Sequence, residues 1–235
     1  MTRKGVGVLK RFFDLVFATF VLVVSAPVVL VAVIAVKLDS RGPAFYPCQR
    51  IGKDGRVFRM FKLRTMIVGA DCLGPAITSA GDGRVTRVGR FLRRYKIDEL
   101  PQFINVLRGE MSVVGPRPES PFYVDLYTLE QRRVLDVKPG VTGLAQVEFR
   151  HEESLLQTYG DAESAYLTTI MPTKLALDLA YVEHRSFLLD VQLIVQTVAV
   201  LLARDRTPVG EATPCAIEPR GKKRPSMDPT GARSE

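Results

Sequence analysis

The hydrophobic pattern divides the chain into a long apolar run, a mixed middle and a second, interrupted apolar run. Residues 12–36 are almost wholly apolar, broken only by Asp14, Thr19, Ser25 and Pro27. As one straight helix this run would be about 37 Å long, against a bilayer hydrocarbon core of about 30 Å. Pro27 splits it into pieces of roughly 22 Å and 13 Å, neither of which spans alone. Ser25 is placed to satisfy backbone carbonyls that the proline frees in lipid. Cations flank both ends, with Lys10 and Arg11 before and Lys37 and Arg41 after, so the positive-inside rule selects no orientation. A spanning helix and a re-entrant one both fit. Residues 186–203, interrupted by Asp190, Gln192, Gln196 and Thr197, read as an amphipathic helix on the membrane or on the domain.

Between these runs the periodicities change. Residues 39–66 read as strand and turn, with a hairpin-type turn over 52–55. In extended chain, Lys62 and Arg64 share one face while Phe61 and Leu63 share the other. Residues 67–83 read as a mobile loop. Phe91, Leu92 and Tyr95 give helical spacing amid Arg90, Arg93, Arg94 and Lys96. A second helix follows, with Leu100, Phe103, Ile104 and Leu107 on its apolar face, Pro101 in its first turn and Gly109 as its stop. Asp98 would then stand near the N-cap and Glu99 in the first turn. Simple capping by Asp98 is weakened because the N3 position is a proline without an N–H. Residues 123–137 read as helix, 138–143 as a turn, 144–147 as a short extended segment, 148–173 as helix and loop, and 175–181 as helix. The end, 204–235, is rich in Pro, Gly and charge and reads as disordered.

Charge and composition narrow the chemistry. The 235 residues carry a formal net charge of +8 and a mean hydropathy of +0.08, which calls for an anionic partner. Cys48, Cys72 and Cys215 form no CxxC pair, and His151 and His184 have no metal-ligand spacing, so neither a disulfide framework nor a zinc site is indicated. Carboxylates, cations, hydroxyls or a hard metal ion must carry any catalysis. Adjacent acids beside surplus cations suggest chemistry on phosphate.

Ordered short motifs then resemble a known family, the bacterial sugar transferases (monotopic phosphoglycosyl, or polyprenyl-phosphate hexose-1-phosphate, transferases). The matching stretches are Lys10-Arg11-Phe12-Phe13-Asp14, Gly42-Pro43, Gln49-Arg50-Ile51-Gly52, Phe58 and Lys62-Leu63-Arg64-Thr65-Met66. The densest match is Asp98-Glu99-Leu100-Pro101-Gln102, Asn105-Val106-Leu107, Gly109-Glu110-Met111-Ser112 and Val114-Gly115-Pro116-Arg117-Pro118. Pro139-Gly140-Val141-Thr142-Gly143, Gln146-Val147 and Phe187-Leu188-Leu189-Asp190 complete it. Each piece alone is weak; the ordered set, spanning residues 10–203, is specific.

The resemblance implies transfer of sugar-1-phosphate from a UDP-sugar to undecaprenyl phosphate with release of UMP. Asp98 would be the nucleophile, Glu99 would be associated with Mg²⁺, and Lys62, Arg64, Arg93, Arg117 and Gln146 would hold substrate or phosphate. It implies an α+β, mostly helical fold in three parts. Residues 1–38 would be a re-entrant membrane helix-hairpin broken near Ser25 and Pro27. Residues 39–203 would be a small cytoplasmic catalytic domain with amphipathic interfacial helices, and 204–235 a disordered tail. The expected location is the bacterial inner membrane, cytoplasmic face, with membrane lipid and a possible second copy as partners and no nucleic acid. Departures are Leu144 where many relatives carry Trp, Glu148-Phe149-Arg150 in place of Asn-Gly-Arg, and a long 156–173 stretch. They bear on the sugar more than on the reaction. Two other readings compete: a membrane-anchored scaffold without activity, and a nucleotide-sugar hydrolase.

Overall fold

The computed structural model describes residues 3–74 and 77–202. The tail expected to be disordered, and Cys215 within it, lie outside the described residues.

Among the described residues the chain is mostly helical, with four short strands. Helix α1, Arg3–Asp39, continues through Pro27 without interruption. The bond expected from Ser25 is not made: its hydroxyl is buried without a hydrogen-bond partner among the described residues. What organises α1 is its two ends, both fastened to one body. Near its start, Asp14 is buried and accepts hydrogen bonds from the Ser112 hydroxyl and the Val113 N–H. Lys10 forms an ion pair with Asp190 and donates to the Val114 carbonyl. Arg11 donates to the carbonyls of Val106 and Leu107. At the far end, Asp39 accepts from the Val88 N–H, and Arg64 donates to the Arg41 and Ser40 carbonyls. Ala18 packs into one apolar cluster with Phe103, Val106 and Leu193, while Ala32 and Val36 pack into another with Leu63 and Leu92.

The other face of α1 is bare apolar surface: Phe12, Phe20, Val23, Leu30 and Val31 are all exposed. By length and composition it is the one described helix able to cross a membrane.

Strands β1, Phe45–Ile51, and β2, Val57–Leu63, form an antiparallel hairpin in register from Phe45–Leu63 to Ile51–Val57. Its turn uses left-handed backbone at Asp54 and Gly55, as the Gly52–Gly55 signal requires. Helix α2, Arg87–Arg94, begins at Thr86, whose hydroxyl accepts from the Gly89 N–H. Helix α3, Gln102–Arg108, stops at Gly109 in left-handed conformation, as the sequence indicates.

Strand β3, Ser112–Val114, runs parallel to β4, Gly140–Thr142. Residues 123–137 are not one helix: α4 covers Pro121–Asp125, and a 3-10 segment covers Gln131–Asp136. The segment expected to be extended is instead helix α5, Leu144–Glu148, because it opens from the crowded Gly143 and buries Ala145. Helices α6, Glu152–Gln157, and α7, Ala162–Ala165, lead through a π-helical turn, Tyr166–Ile170, into α8, Met171–His184. Helix α9, Phe187–Leu202, buries Asp190 and Leu193 and leaves Leu188, Val195, Val198 and Leu202 exposed. It is therefore amphipathic and packed on the domain, one of the two alternatives its sequence left open.

Candidate active site

Asp98 and Glu99 lie in a 3-10 turn, Ile97–Glu99, that precedes α3 rather than forming its first turn. Lys96 enters the turn at φ 55°, in the left-handed region. The N-cap of α3 is Pro101, and Asp98 makes no capping bond. The expected capping geometry is thus replaced by a tighter turn that aims both acids into the domain. Both are buried, at 4% and 8% exposure.

Their surroundings differ. One oxygen of Glu99 accepts from Arg117 Nη2 at 3.1 Å and stands 3.8 Å from Lys62 Nζ. Burial alone would raise the Glu99 pKa, but Arg117 first, then Lys62 and Lys96, hold it well below the usual carboxylate range. Glu99 in turn raises Arg117. Asp98 is pushed the other way, by burial first and by the Glu99 charge, against the pull of Lys62, Lys96 and Arg93. Its Oδ1 is buried without a hydrogen-bond partner among the described residues. An unpaired buried oxygen of this kind costs about 1–3 kcal/mol, so the position is strained toward a ligand.

Lys62 is held in place by Asn105. The Asn105 side chain accepts from the Phe61 N–H at 3.0 Å and donates to the Arg59 carbonyl at 2.7 Å, tying β2 to α3. Arg117 is held by a backbone crossing. Gly115 donates to the Thr142 carbonyl at 2.9 Å, and Gly140 donates to the Pro116 carbonyl at 2.8 Å. A Cβ at Gly140 would stand 2.1 Å from the Gly115 nitrogen, and one at Gly143 would stand 2.3 Å from the Gly115 oxygen, so only glycines permit the crossing. The Gln146 side-chain amide lies 3.4 Å from the carbonyls of both Gly115 and Gly140. Gln146 therefore braces the Arg117 loop.

The sequence-predicted residues separate into two groups. Asp98, Glu99, Lys62 and Arg117 come together, with Gln146 behind the loop. Arg93 influences Asp98 electrostatically while pairing directly with Glu153 at 2.8 Å. Arg64 shares the face of Lys62 in sequence, but its guanidinium is committed to the carbonyls that end α1. Ser25 and Pro27 lie within α1, in the apolar run remote in sequence from these acids.

Beneath the Arg117 loop is a polar layer that sequence reasoning missed. Asp178 is buried, bonds the backbone N–H of Arg117, leaves Oδ1 unpartnered, and has its pKa pushed up by burial to about 7. Lys174 pairs with Glu152 at 3.0 Å, and the Tyr166 hydroxyl donates to Glu119. The available signal was the spacing of Lys174, Asp178 and Tyr181, polar residues recurring along one face of an otherwise apolar helix.

Among the described residues no group of three or more His, Cys, Asp or Glu could hold a metal unaided. What the site offers a cation is the adjacent acid pair, with cations ranged around it for phosphate oxygens.

Residues 6–204 match the family model described as bacterial sugar transferase. The chain is 40% identical over 210 residues to a UDP-glucose:undecaprenyl-phosphate glucose-1-phosphate transferase of Caulobacter vibrioides, covering 87% of this chain and 74% of that protein. It is 37% identical over 199 residues to a UDP-N-acetylgalactosamine-undecaprenyl-phosphate N-acetylgalactosaminephosphotransferase of Aeromonas hydrophila, covering 83% and 44%. It is 37% identical over 198 residues to a UDP-glucose:undecaprenyl-phosphate glucose-1-phosphate transferase of Escherichia coli, covering 81% and 39%. The chain thus spans about three quarters of the first relative and less than half of the other two.

Proposed function

The chain belongs to the bacterial sugar transferase family, and from that premise we propose that it moves a sugar-1-phosphate from a UDP-sugar to undecaprenyl phosphate, opening the membrane stage of a polysaccharide's assembly. The observation that carries the reading is the asymmetry of the acid pair. Asp98 has a buried oxygen without a partner, while Glu99 beside it is locked to Arg117 and Lys62. A carboxylate with no donor on it is an available nucleophile; one gripped by two cations is not.

The proposed cycle has two displacements at one phosphorus. An Asp98 oxygen attacks the sugar-bearing phosphorus, and the bond to the bridging oxygen breaks. UMP leaves with that oxygen and its electron pair, and an aspartyl phosphosugar remains. A phosphate oxygen of the lipid acceptor then attacks the same phosphorus and returns Asp98 as a carboxylate. A carboxylate approaching a phosphodiester meets like charge, so Arg117, Lys62 and Arg93 are needed to neutralise the phosphate oxygens.

Mg²⁺ fits this donor set, because it takes hard oxygens and is ordinarily held by one or two carboxylates plus substrate phosphates. Glu99 would hold it, with the unpartnered Asp98 oxygen beside it, and once bound it would draw off charge that develops on the diphosphate.

The two tethered ends of α1 support a re-entrant anchor, since a helix whose ends meet the same body presents both to one side of the membrane. We place that side at the cytoplasmic face of the inner membrane, where nucleotide sugars and the lipid's phosphate meet.

Following UMP release with and without undecaprenyl phosphate tests the reading. One equivalent without acceptor and turnover with it is the expected result. Turnover without acceptor would make the protein a hydrolase, and no release with any UDP-sugar would leave a scaffold.

A further inference from the structure

A second cationic site lies apart from the acid pair, where the start of α1 meets the end of α3. A Cβ built on Gly109 would stand 3.5 Å from Arg11 Nη2 and 3.6 Å from Lys138 Nζ, so two cations converge on that glycine. Arg11 spends two N–H groups capping the Val106 and Leu107 carbonyls. The Lys138 ammonium is half-buried and has no hydrogen-bond or ion-pair partner among the described residues. The charged groups that face it are Arg11, Asp14 and Lys53, and the one acid among them is already occupied by Ser112 and Val113. Burial first, and then the Arg11 charge, pull its pKa down, as expected where like charges are crowded without an anion between them.

The surroundings are apolar on one side. Gly7, Val8, Arg11, Phe12 and Leu15 line an open groove on α1, with Val8 72% and Phe12 66% exposed. A free aqueous anion would satisfy the cations and leave the groove bare. A molecule with an anionic head and hydrocarbon tails would satisfy both.

We propose that Arg11 and Lys138 bind the phosphate of an anionic phospholipid whose acyl chains lie along Val8, Phe12 and Leu15. The site is separate from that of the reaction, since Asp98 is faced by Lys62, Lys96 and Arg93 instead. A bound headgroup supplies the acceptor that Lys138 lacks, and the overall charge of +8 draws such lipids to the surface. The turn carrying Lys138 rests on Gly115, whose added Cβ would meet the Lys138 carbonyl at 2.5 Å. The lipid thus bears on the same backbone that holds the Arg117 loop.

The test uses the full chain in neutral detergent, with thermal unfolding followed during titration of dioctanoyl phosphatidylglycerol, dioctanoyl phosphatidylcholine or inorganic phosphate. Ligand that binds only the folded state raises Tm, by about 3–6 °C for each tenfold excess over its dissociation constant in a domain of this size. Phosphatidylglycerol should raise Tm in the wild type and in Lys138→Arg. It should lose that effect in Lys138→Gln and keep it in Arg56→Gln, which removes an exposed cation elsewhere. An undiminished shift in Lys138→Gln, or no shift in the wild type, would overturn the proposal. An equal shift with phosphatidylcholine would remove the anion from it, and an equal shift with inorganic phosphate would remove the lipid. Should Lys138→Gln not fold, the comparison of the three ligands on wild type still decides.

Discussion

Asp98 and Glu99 are consecutive, yet their environments set them in opposite states. Asp98 is raised by burial, so its charged form weighs against the fold, and that cost appears as pH rises through its pKa. Glu99 is lowered by Arg117 and Lys62 despite burial, so its contribution is present at neutral pH and is lost as pH falls through its own low pKa. The two amide variants should therefore diverge in calorimetry at pH 7–8. Asp98→Asn should melt at or above the wild-type temperature, whereas Glu99→Gln should be destabilised by about 1–3 kcal/mol, because it leaves Arg117 and Lys62 without their acid. In kinetics, Asp98→Asn should reduce transfer by on the order of 10⁴-fold or more. The proposed attack requires the carboxylate, so kcat/KM of the wild type should fall on its acid side at a pH above the ordinary aspartate range near about 3.9. The pairing of two acids with Arg117 and Lys62 was legible in the sequence, since short motifs name residue types that chemistry needs together. The difference between the acids was not, because it depends on a 3-10 turn and a left-handed Lys96 that no local pattern announces. Arg64 shows the same limit: strand periodicity placed it beside Lys62, and only the fold reveals that the end of α1 takes its guanidinium.

At the scale of elements, the Arg117 loop is held by glycines and by polar residues on α8. Gly140→Ala would force a Cβ to 2.1 Å from the Gly115 nitrogen. An overpacked crossing of this kind costs about 1–3 kcal/mol and displaces the loop. Since displacement of a catalytic group by about 1 Å can cost about 100-fold, kcat/KM should fall by that order while the protein remains folded. The glycines were visible as a turn signal, but their purpose is a contact between segments some twenty-five positions apart along the chain. Helix α3 and its stop at Gly109 were readable because every determinant is local. The segment 144–148 was not, since its helix is set by what Gln146 and Ala145 meet across the domain.

At the scale of the molecule, the tethering of both ends of α1 is what joins the long apolar helix to the body that carries the acid pair. Asp14 to Ser112 and Lys10 to Asp190 fix one end against β3 and α9, and β3 runs directly into the loop of Arg117. Asp39 and Arg64 fix the other beside α2 and β2. Hydropathy marks the long apolar helix plainly, but its course depends on contacts made far along the sequence, which is why spanning and re-entrant readings both fitted the sequence. Single cysteines at Leu9 and Leu38, in a chain otherwise free of cysteine, should both react with a membrane-impermeant maleimide from the same face of sealed vesicles. Reaction from opposite faces would establish a spanning helix. The proposed mechanism rests on a phosphosugar carried by Asp98 between the two substrates. The direct measurement is the intact mass of the protein after incubation with a UDP-sugar and Mg²⁺ in the absence of lipid acceptor. The expected result is a gain of one sugar phosphate, located to the peptide containing Asp98 and discharged when undecaprenyl phosphate is added. An unmodified protein that still transfers sugar phosphate once acceptor is present, or an adduct that persists in Asp98→Asn, would contradict it.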